Sequence, residues 1–228
     1  MSDPRTLVDA MPLRPDVRQA SCSDGMVFLD IAGDAYLSLY APAAREGPDD
    51  AGNGLDRGSL ETLLGDAGLL DDAAAPAGGS RRHPTPAWRA LPQVQDGRPP
   101  LRVVTAFVIA LLQASLRFRT RRFAAMLDWA STGRRPGRGA SDRDLARIVG
   151  WFDRLGLWLP VRPLCLFRSH LLLHFLRRLG LDADWVFGVT LFPFHAHCWL
   201  AVGDRLVGER ADRVEEFTII FSTAVPAA

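Results

Sequence analysis

The chain has 228 residues, 48% of them apolar, enough to bury a sizeable core in one domain or two. Three cysteines without regular spacing exclude a disulfide framework of the small secreted kind. The formal net charge of +1 hides an uneven distribution: 14 acids against 5 arginines in residues 1–80, 14 arginines against 4 acids in 81–150, and 8 of each in the remainder. Lysine is absent throughout.

The N-terminus carries early acids and no continuous apolar run, so neither a secretory signal nor a membrane span is expected, and a cytoplasmic location fits best. Residues 17–20 read as a short strand, followed by a Ser23-Asp24-Gly25 turn. Residues 26–31 form a second, and Gly33-Asp34 turns into a third at 35–40, making a small antiparallel sheet. Residues 45–58, rich in Gly and Asp, read as an exposed loop. Ser59 caps a helix to about Leu64, with Leu69 and Leu70 packing on the sheet. Residues 73–100 carry Ala, Pro and Gly and read as a linker, with Trp88 as its anchor.

From 101 to about 130 the pattern is helical. Its first half is very apolar, through Phe107, Ile109, Leu111 and Leu112, and Arg117, Arg119, Arg121 and Arg122 follow too soon for a membrane span. A buried helix with a basic end is expected. No aromatic-interleaved or helix-turn-helix pattern supports a nucleic-acid partner. Residues 134–138 form a Gly-rich loop facing water. Ser141 caps the next helix, with Asp144 placed for a capping box; Leu145, Ile148, Val149, Phe152 and Leu155 line its apolar face, and Gly156 ends it. Trp151 and Trp158 read as core or domain-contact residues.

The reactive residue types collect between Pro163 and Trp199, where four of the five histidines lie. Pro163 suits a helix entrance, and residues 164–179 carry Leu166, Leu172, Leu173, Leu176 and Leu179 at helical spacing, with Arg177, Arg178 and Gly180 as stop signals. Cys165 falls in or just before the first turn. The free N–H groups and positive end of the helix stabilise a thiolate there, with Arg168 adding its charge. Residues 185–187 read as a strand, Pro193 as a break, residues 197–202 as a second strand, and Gly203-Asp204 as a hairpin turn into 205–207. Residues 214–221 form a final strand. A helix-borne cysteine facing the strand-borne His197 makes a thiolate–imidazolium pair, with a carboxylate to fix the ring. Glu209 is the first choice of orienter and Asp204 the substitute.

The order Cys165, then Phe194-His195-Ala196-His197-Cys198-Trp199, then a hairpin and an acid, resembles the cysteine-protease domain of the lasso-peptide B proteins. Arg168-Ser169 and Val186-Phe187-Gly188-Val189 extend the match. The resemblance implies an α+β chain with a transglutaminase-like, papain-like protease domain that removes the leader from a ribosomally made precursor. Cys165 is then the nucleophile, His197 the general base and Glu209 the acid, standing where that family has aspartate; His195 takes the place of an arginine or other polar residue. A separate asparagine-synthetase-like lasso cyclase closes the macrolactam. Any ATP requirement lies with that partner, since this chain has no Walker-type phosphate loop and no cofactor motif of its own.

The phrases Val27-Phe28-Leu29-Asp30 and Ala35-Tyr36-Leu37-Ser38-Leu39 resemble the PqqD-like, winged-helix-shaped domain that recognises precursors in peptide-modifying systems. In that family the leader adds as a strand to the sheet edge, which implicates Leu29, Ala35, Tyr36, Leu37, Ser38 and Leu39 in peptide binding. The expected organisation is a recognition domain at 1–75, a linker at 76–100 and a protease domain at 101–228. Three other readings stay open. The chain binds precursor and docks a partner without catalysis; its thioester is captured by an amine in a transglutaminase-like transfer; or His170 and His174, four apart on one helix, hold zinc with Cys165, His195 or Cys198.

Overall fold

The structure, a computed structural model, describes residues 7–8, 11–40, 56–71, 86–94, 97–120, 122–132, 140–160 and 163–224. The greater part of the expected loop at 45–58, much of the expected linker, the Gly-rich loop at 134–138 and the last four residues lie outside these. The chain divides into two units: Met1–Pro84 with Val189–His195 and Thr218–Ile220, and Thr85–Gly188 with Ala196–Phe217 and Phe221–Ala228.

In the first unit, β1 (Val17–Cys22), β2 (Gly25–Asp30) and β3 (Ala35–Tyr40) form an antiparallel sheet in that order. Asp30 shapes the second turn: its Oδ1 accepts the backbone N–H groups of Ala32 and Gly33 at 3.0 and 2.9 Å. A Cβ on residue 33 would stand 2.6 Å from Asp30 Oδ2, which is why glycine occupies the position. Helix α1 (Arg57–Asp66) supplies Leu60 and Leu64 to a core shared with Met26, Phe28, Leu39 and Leu69. Its cap is Asp56, whose Oδ1 accepts the Ser59 N–H at 2.9 Å, and not Ser59 as the sequence suggested. Either residue type caps well, and the earlier carboxylate draws Arg57 and Gly58 out of the expected loop.

The second unit is built on α2 (Leu101–Thr120), α3 (Phe123–Thr132), α4 (Asp142–Gly156) and α5 (Cys165–Arg178). Helix α5 is its axis: every residue from Ser169 to Leu176 is buried. The stretch read as one helix over 101–130 is two. Helix α2 buries Val103, Phe107, Ala110 and Ala114, and Phe107 packs edge-on against Phe152 and Phe175. On a continuous helix, Phe123, Met126, Leu127 and Ala130 would point to the opposite side, so the chain must break for all of them to be buried. Helix α2 is also less buried than expected. It is long and apolar enough to cross a membrane, and its outer face leaves Leu101, Leu112 and Leu116 exposed while its inner face is packed into the fold.

A five-stranded sheet runs in the order β4-β7-β6-β5-β8, from β4 (Arg89–Ala90), β5 (Asp184–Thr190), β6 (His195–Val202), β7 (Arg205–Val207) and β8 (Thr218–Ser222). Strand β4 lies within the expected linker yet pairs in parallel with β7, and Trp88 beside it packs edge-on against Trp199 at 5.9 Å. The final strand begins later than read: Val214 closes a short helix, α6 (Ala211–Val214), with its side chain fully buried. Trp158, expected as a core or domain-contact residue, is 86% exposed and so not in the core. Gly188 meets a tighter constraint, since a Cβ there would stand 2.7 Å from the Trp199 ring and 2.8 Å from Phe217 Cβ.

His170 and His174, on the buried face of α5, sit in an aromatic box. His174 stacks on Trp129 at 4.0 Å and His170 on Trp185 at 5.4 Å. Burial, reinforced by the Arg117 and Arg177 charges, pushes His170 down to about 4; burial, His170 and the same arginines push His174 down to about 3. Both are neutral in the folded protein, whereas the unfolded chain takes up these protons below about pH 6.5. Their contribution to stability is therefore complete above that pH and lost as the pH falls from there towards 4, at up to about 1.4 kcal/mol per histidine per pH unit. Urea denaturation between pH 7 and 4.5 should show this slope, and His170→Gln/His174→Gln should flatten it; an undiminished slope in the double variant would mean that other groups are responsible.

Candidate active site

Cys165 is the first residue of α5, entered from Pro163 through an extended Leu164 that offers no side-chain cap. The thiol thus stands at the positive end of a well-buried helix. One turn on, Ser169 ties this end to the sheet. Its hydroxyl donates to the Cys165 carbonyl at 2.8 Å, accepts the Trp185 indole N–H at 2.9 Å, and lies 3.3 Å from Cys198 Sγ. Strand β6 brings both His197 and Cys198 to the cavity that Cys165 lines.

The imidazole of His197 is held from its other side. Its Nε2 lies 3.0 Å from Glu209 Oε2, with both side chains close to nine-tenths buried. That leaves Nδ1 as the nitrogen for proton exchange with sulfur. Glu209 is itself held by the Arg210 backbone N–H at 3.1 Å. Burial works against its charge, but the hydrogen bonds from His197 and Arg210 outweigh that and keep its carboxyl below the usual range.

The charges reinforce one another. Hydrogen bonds from the Cys198 thiol and from His197 draw Cys165 down to about 4, against the opposing effect of burial. Cys165 and then Glu209 raise His197 to about 9. Both shifts favour thiolate and imidazolium over the neutral pair. Cys198 stays protonated, because its contact with the Cys165 sulfur and its own burial both oppose a second negative charge.

Cys165, His197 and Glu209 line one cavity of about 670 Å³, together with residues 90–94. Asp204, the substitute orienter, is not at the ring: it lies in the β6–β7 turn, beside Arg89 at 3.4 Å. His195 is exposed at the start of β6. Arg168, expected to add its charge to the thiolate, instead donates from Nη1 to the Gly208 carbonyl and from Nη2 to Asp153, both at 2.8 Å. Among the described residues no three His, Cys, Asp or Glu side chains converge as a metal site, and the i, i+4 histidine pair is enclosed by tryptophans. The residues named for peptide binding fall on two strands. Ala35, Tyr36, Leu37, Ser38 and Leu39 lie along β3, the edge of its sheet, whereas Leu29 is fully buried in the central strand. Ser169 and Cys198 were part of the family match, and Cys198 a candidate zinc ligand, but neither was expected to bond the other beside Cys165, although their places were readable: one lies a helical turn from Cys165, the other next to His197.

Residues 108–222, just over half of the chain, match the family described as the transglutaminase-like superfamily. No curated protein and no solved structure matches the chain.

The ion pair is expected in the alkylation profile of Cys165. Iodoacetamide should modify it with an acid limb near 4 rather than in the ordinary thiol range near 8.5, and with a second step near 9 as His197 loses its proton. His197→Ala should move the acid limb several units upward, measured by mass spectrometry of the Cys165 peptide; an unchanged limb would show that the imidazole does not stabilise the thiolate.

Proposed function

The chain belongs to the transglutaminase-like superfamily, and on that footing we propose that it is a cysteine peptidase that removes the leader from a ribosomally made lasso-peptide precursor before a separate cyclase closes the ring. The observation that carries this reading is the imidazole of His197 held between a thiolate-forming sulfur and the Glu209 carboxylate, 3.0 Å away, at the mouth of a cavity. The sequence Phe194-His195-Ala196-His197-Cys198-Trp199 after a helix-opening cysteine supports the narrower substrate class.

The chemistry follows from the arrangement. The Cys165 thiolate attacks the scissile carbonyl, and the tetrahedral oxyanion forms beside the backbone N–H groups that open α5. The imidazolium gives its Nδ1 proton to the departing amine as the C–N bond breaks, leaving a thioester on Cys165 and a neutral ring. His197 then takes a proton from water, whose oxygen attacks the thioester; collapse breaks the C–S bond, expels the Cys165 thiolate beside the imidazolium as at the start, and releases the leader acid, which ionises in water. Throughout, Glu209 accepts the Nε2–H and keeps the ring in the tautomer that presents Nδ1 to the reacting atoms.

The edge of β3, from Ala35 to Leu39, is the surface suited to hold the leader by strand addition, with backbone pairing giving affinity and side chains giving register. The asparagine-synthetase-like cyclase is the second partner, and ATP use is assigned to it.

Intact-mass analysis of precursor incubated with this protein, with and without the cyclase, tests the reading. Hydrolysis yields free leader and core whose masses sum to precursor plus water, whereas amine capture gives an adduct without that water. Cys165→Ala should abolish cleavage and keep precursor binding. His197→Ala should slow turnover by about 10²- to 10⁴-fold, and Glu209→Gln by less. Precursor that binds but is never cleaved under reducing conditions, even with the cyclase present, would leave a scaffold role in place of a peptidase.

A further inference from the structure

The acid of the site is not held by its own segment alone. Glu209 follows β7, in the connection to α6, and the residue before it, Gly208, has a left-handed φ of +73°. A Cβ on residue 208 would stand 3.0 Å from Leu172 Cδ2 and 3.5 Å from both Arg168 Nη2 and Val149 Cγ1, so the chain passes here in close contact with α4 and α5. The Gly208 carbonyl accepts from Arg168 Nη1 at 2.8 Å. The other arm of the same guanidinium donates to Asp153 Oδ1 of α4 at 2.8 Å, and the Arg168 head lies over the Phe152 ring at 5.7 Å. Arg168 is three residues from Cys165 on α5.

We propose that Arg168 is a positioning residue for Glu209: its guanidinium fork fastens the Gly208 carbonyl to the nucleophile's helix, and so sets the separation between the carboxylate and the His197 ring. This rests on the thiolate–imidazolium reading of the site. The fork is planar and its two arms are engaged in different directions, one by a backbone carbonyl and one by a carboxylate, which a lysine ammonium cannot reproduce from one point. Because Cys165 and Gly208 are tied to the same helix, nucleophile and acid move together. The Arg168 charge acts through the placement of Glu209 and not on the sulfur, which takes its hydrogen bonds from Cys198 and His197.

The alkylation profile of Cys165 reads this without precursor or cyclase. Arg168→Leu should shift the basic limb, the step near 9 set by His197, towards neutral by roughly one pH unit, because a displaced Glu209 carboxylate raises the His197 pKa less. Arg168→Lys should recover part of that shift, and Asp153→Asn should produce a smaller one in the same direction. Glu209→Gln should shift the limb by at least as much as Arg168→Leu, and the double variant Arg168→Leu/Glu209→Gln should go no further than Glu209→Gln alone. Additive shifts would mean that Arg168 acts on the imidazole by a route other than Glu209, and an unshifted basic limb in both Arg168→Leu and Asp153→Asn would mean that it does not position the acid; either overturns the proposal. Circular dichroism establishes that each variant is folded, and should Arg168→Leu fail to fold, Asp153→Asn alone decides. An ordinary thiol profile in the unaltered protein removes the thiolate–imidazolium reading and this one with it, whereas a two-limbed profile in the unaltered protein whose basic limb Arg168→Leu leaves in place removes this proposal only.

Discussion

The contact on which the site depends is that of the His197 imidazole with the Glu209 carboxylate, 3.0 Å away, on the cavity wall that also carries the Cys165 sulfur. Each end needs the other. A thiolate in a half-buried site is costly without a cation beside it, and an imidazolium there is costly without anions. The fold meets both requirements by carrying the three groups on separate pieces of chain: the start of α5, the first half of β6 and the residue just past β7. A polar triad drawn from one flexible segment would lose more conformational entropy in being ordered than these packed elements do.

The same helix shows how strongly surroundings decide an ionisable side chain. Three imidazoles lie on or against α5. Two are boxed by Trp129 and Trp185 near arginine charges and driven to about 4 and 3; the third faces Cys165 and Glu209 and is driven to about 9. Burial lowers all three, so it cannot account for the opposite directions. What differs is the sign of the nearest charge, and at short range in a poorly hydrated site that outweighs desolvation for His197. His170 and His174 belong to the packing of the helix, and His197 faces the cavity with Glu209.

The joints around the site recur to a few polar anchors. Ser169 links the first turn of α5 to Trp185 on β5 and to Cys198 on β6; Arg168 links the next residues to α4 and to the segment carrying Glu209; Arg177, at the far end, donates to the Trp129 and Ala130 carbonyls that end α3 and pairs with Asp182 at 3.0 Å. Apolar packing holds α5 to α2 and to the sheet, but dispersion is not directional. The hydrogen bonds fix the position of the helix along its axis, which is the coordinate that sets where Cys165 stands relative to His197.

Much of this was legible residue by residue. The turns at 23–25, 33–34 and 203–204, the helix opening at Pro163-Leu164-Cys165 and the cap at Ser141 rest on local chemistry or on spacing along one chain, which a sequence carries directly, and the expected contact of Glu209 with His197 is present at 3.0 Å. Where local signals were equal the reading slipped: Asp56 and Ser59 are both good caps, and only the packing of Leu60 and Leu64 decides between them. Residues 101–130 are helical throughout by composition, but which face must be buried changes at Thr120, and that is set by what lies opposite. Arg89 and Ala90 have no strand signal, and they pair because β7 presents a free edge to them. Arg168 looked like a partner for the nearby thiolate because sequence shows only that it is three residues away; the folded chain brings Gly208 and Asp153 nearer in the directions its fork points. Sequence by itself determined which groups are able to react and which elements carry them, since bonding capacity and periodicity are properties of neighbouring residues. Only tertiary structure decided which carboxylate reaches His197, which histidines stay neutral and what Arg168 holds, because those depend on distances between segments far apart along the chain.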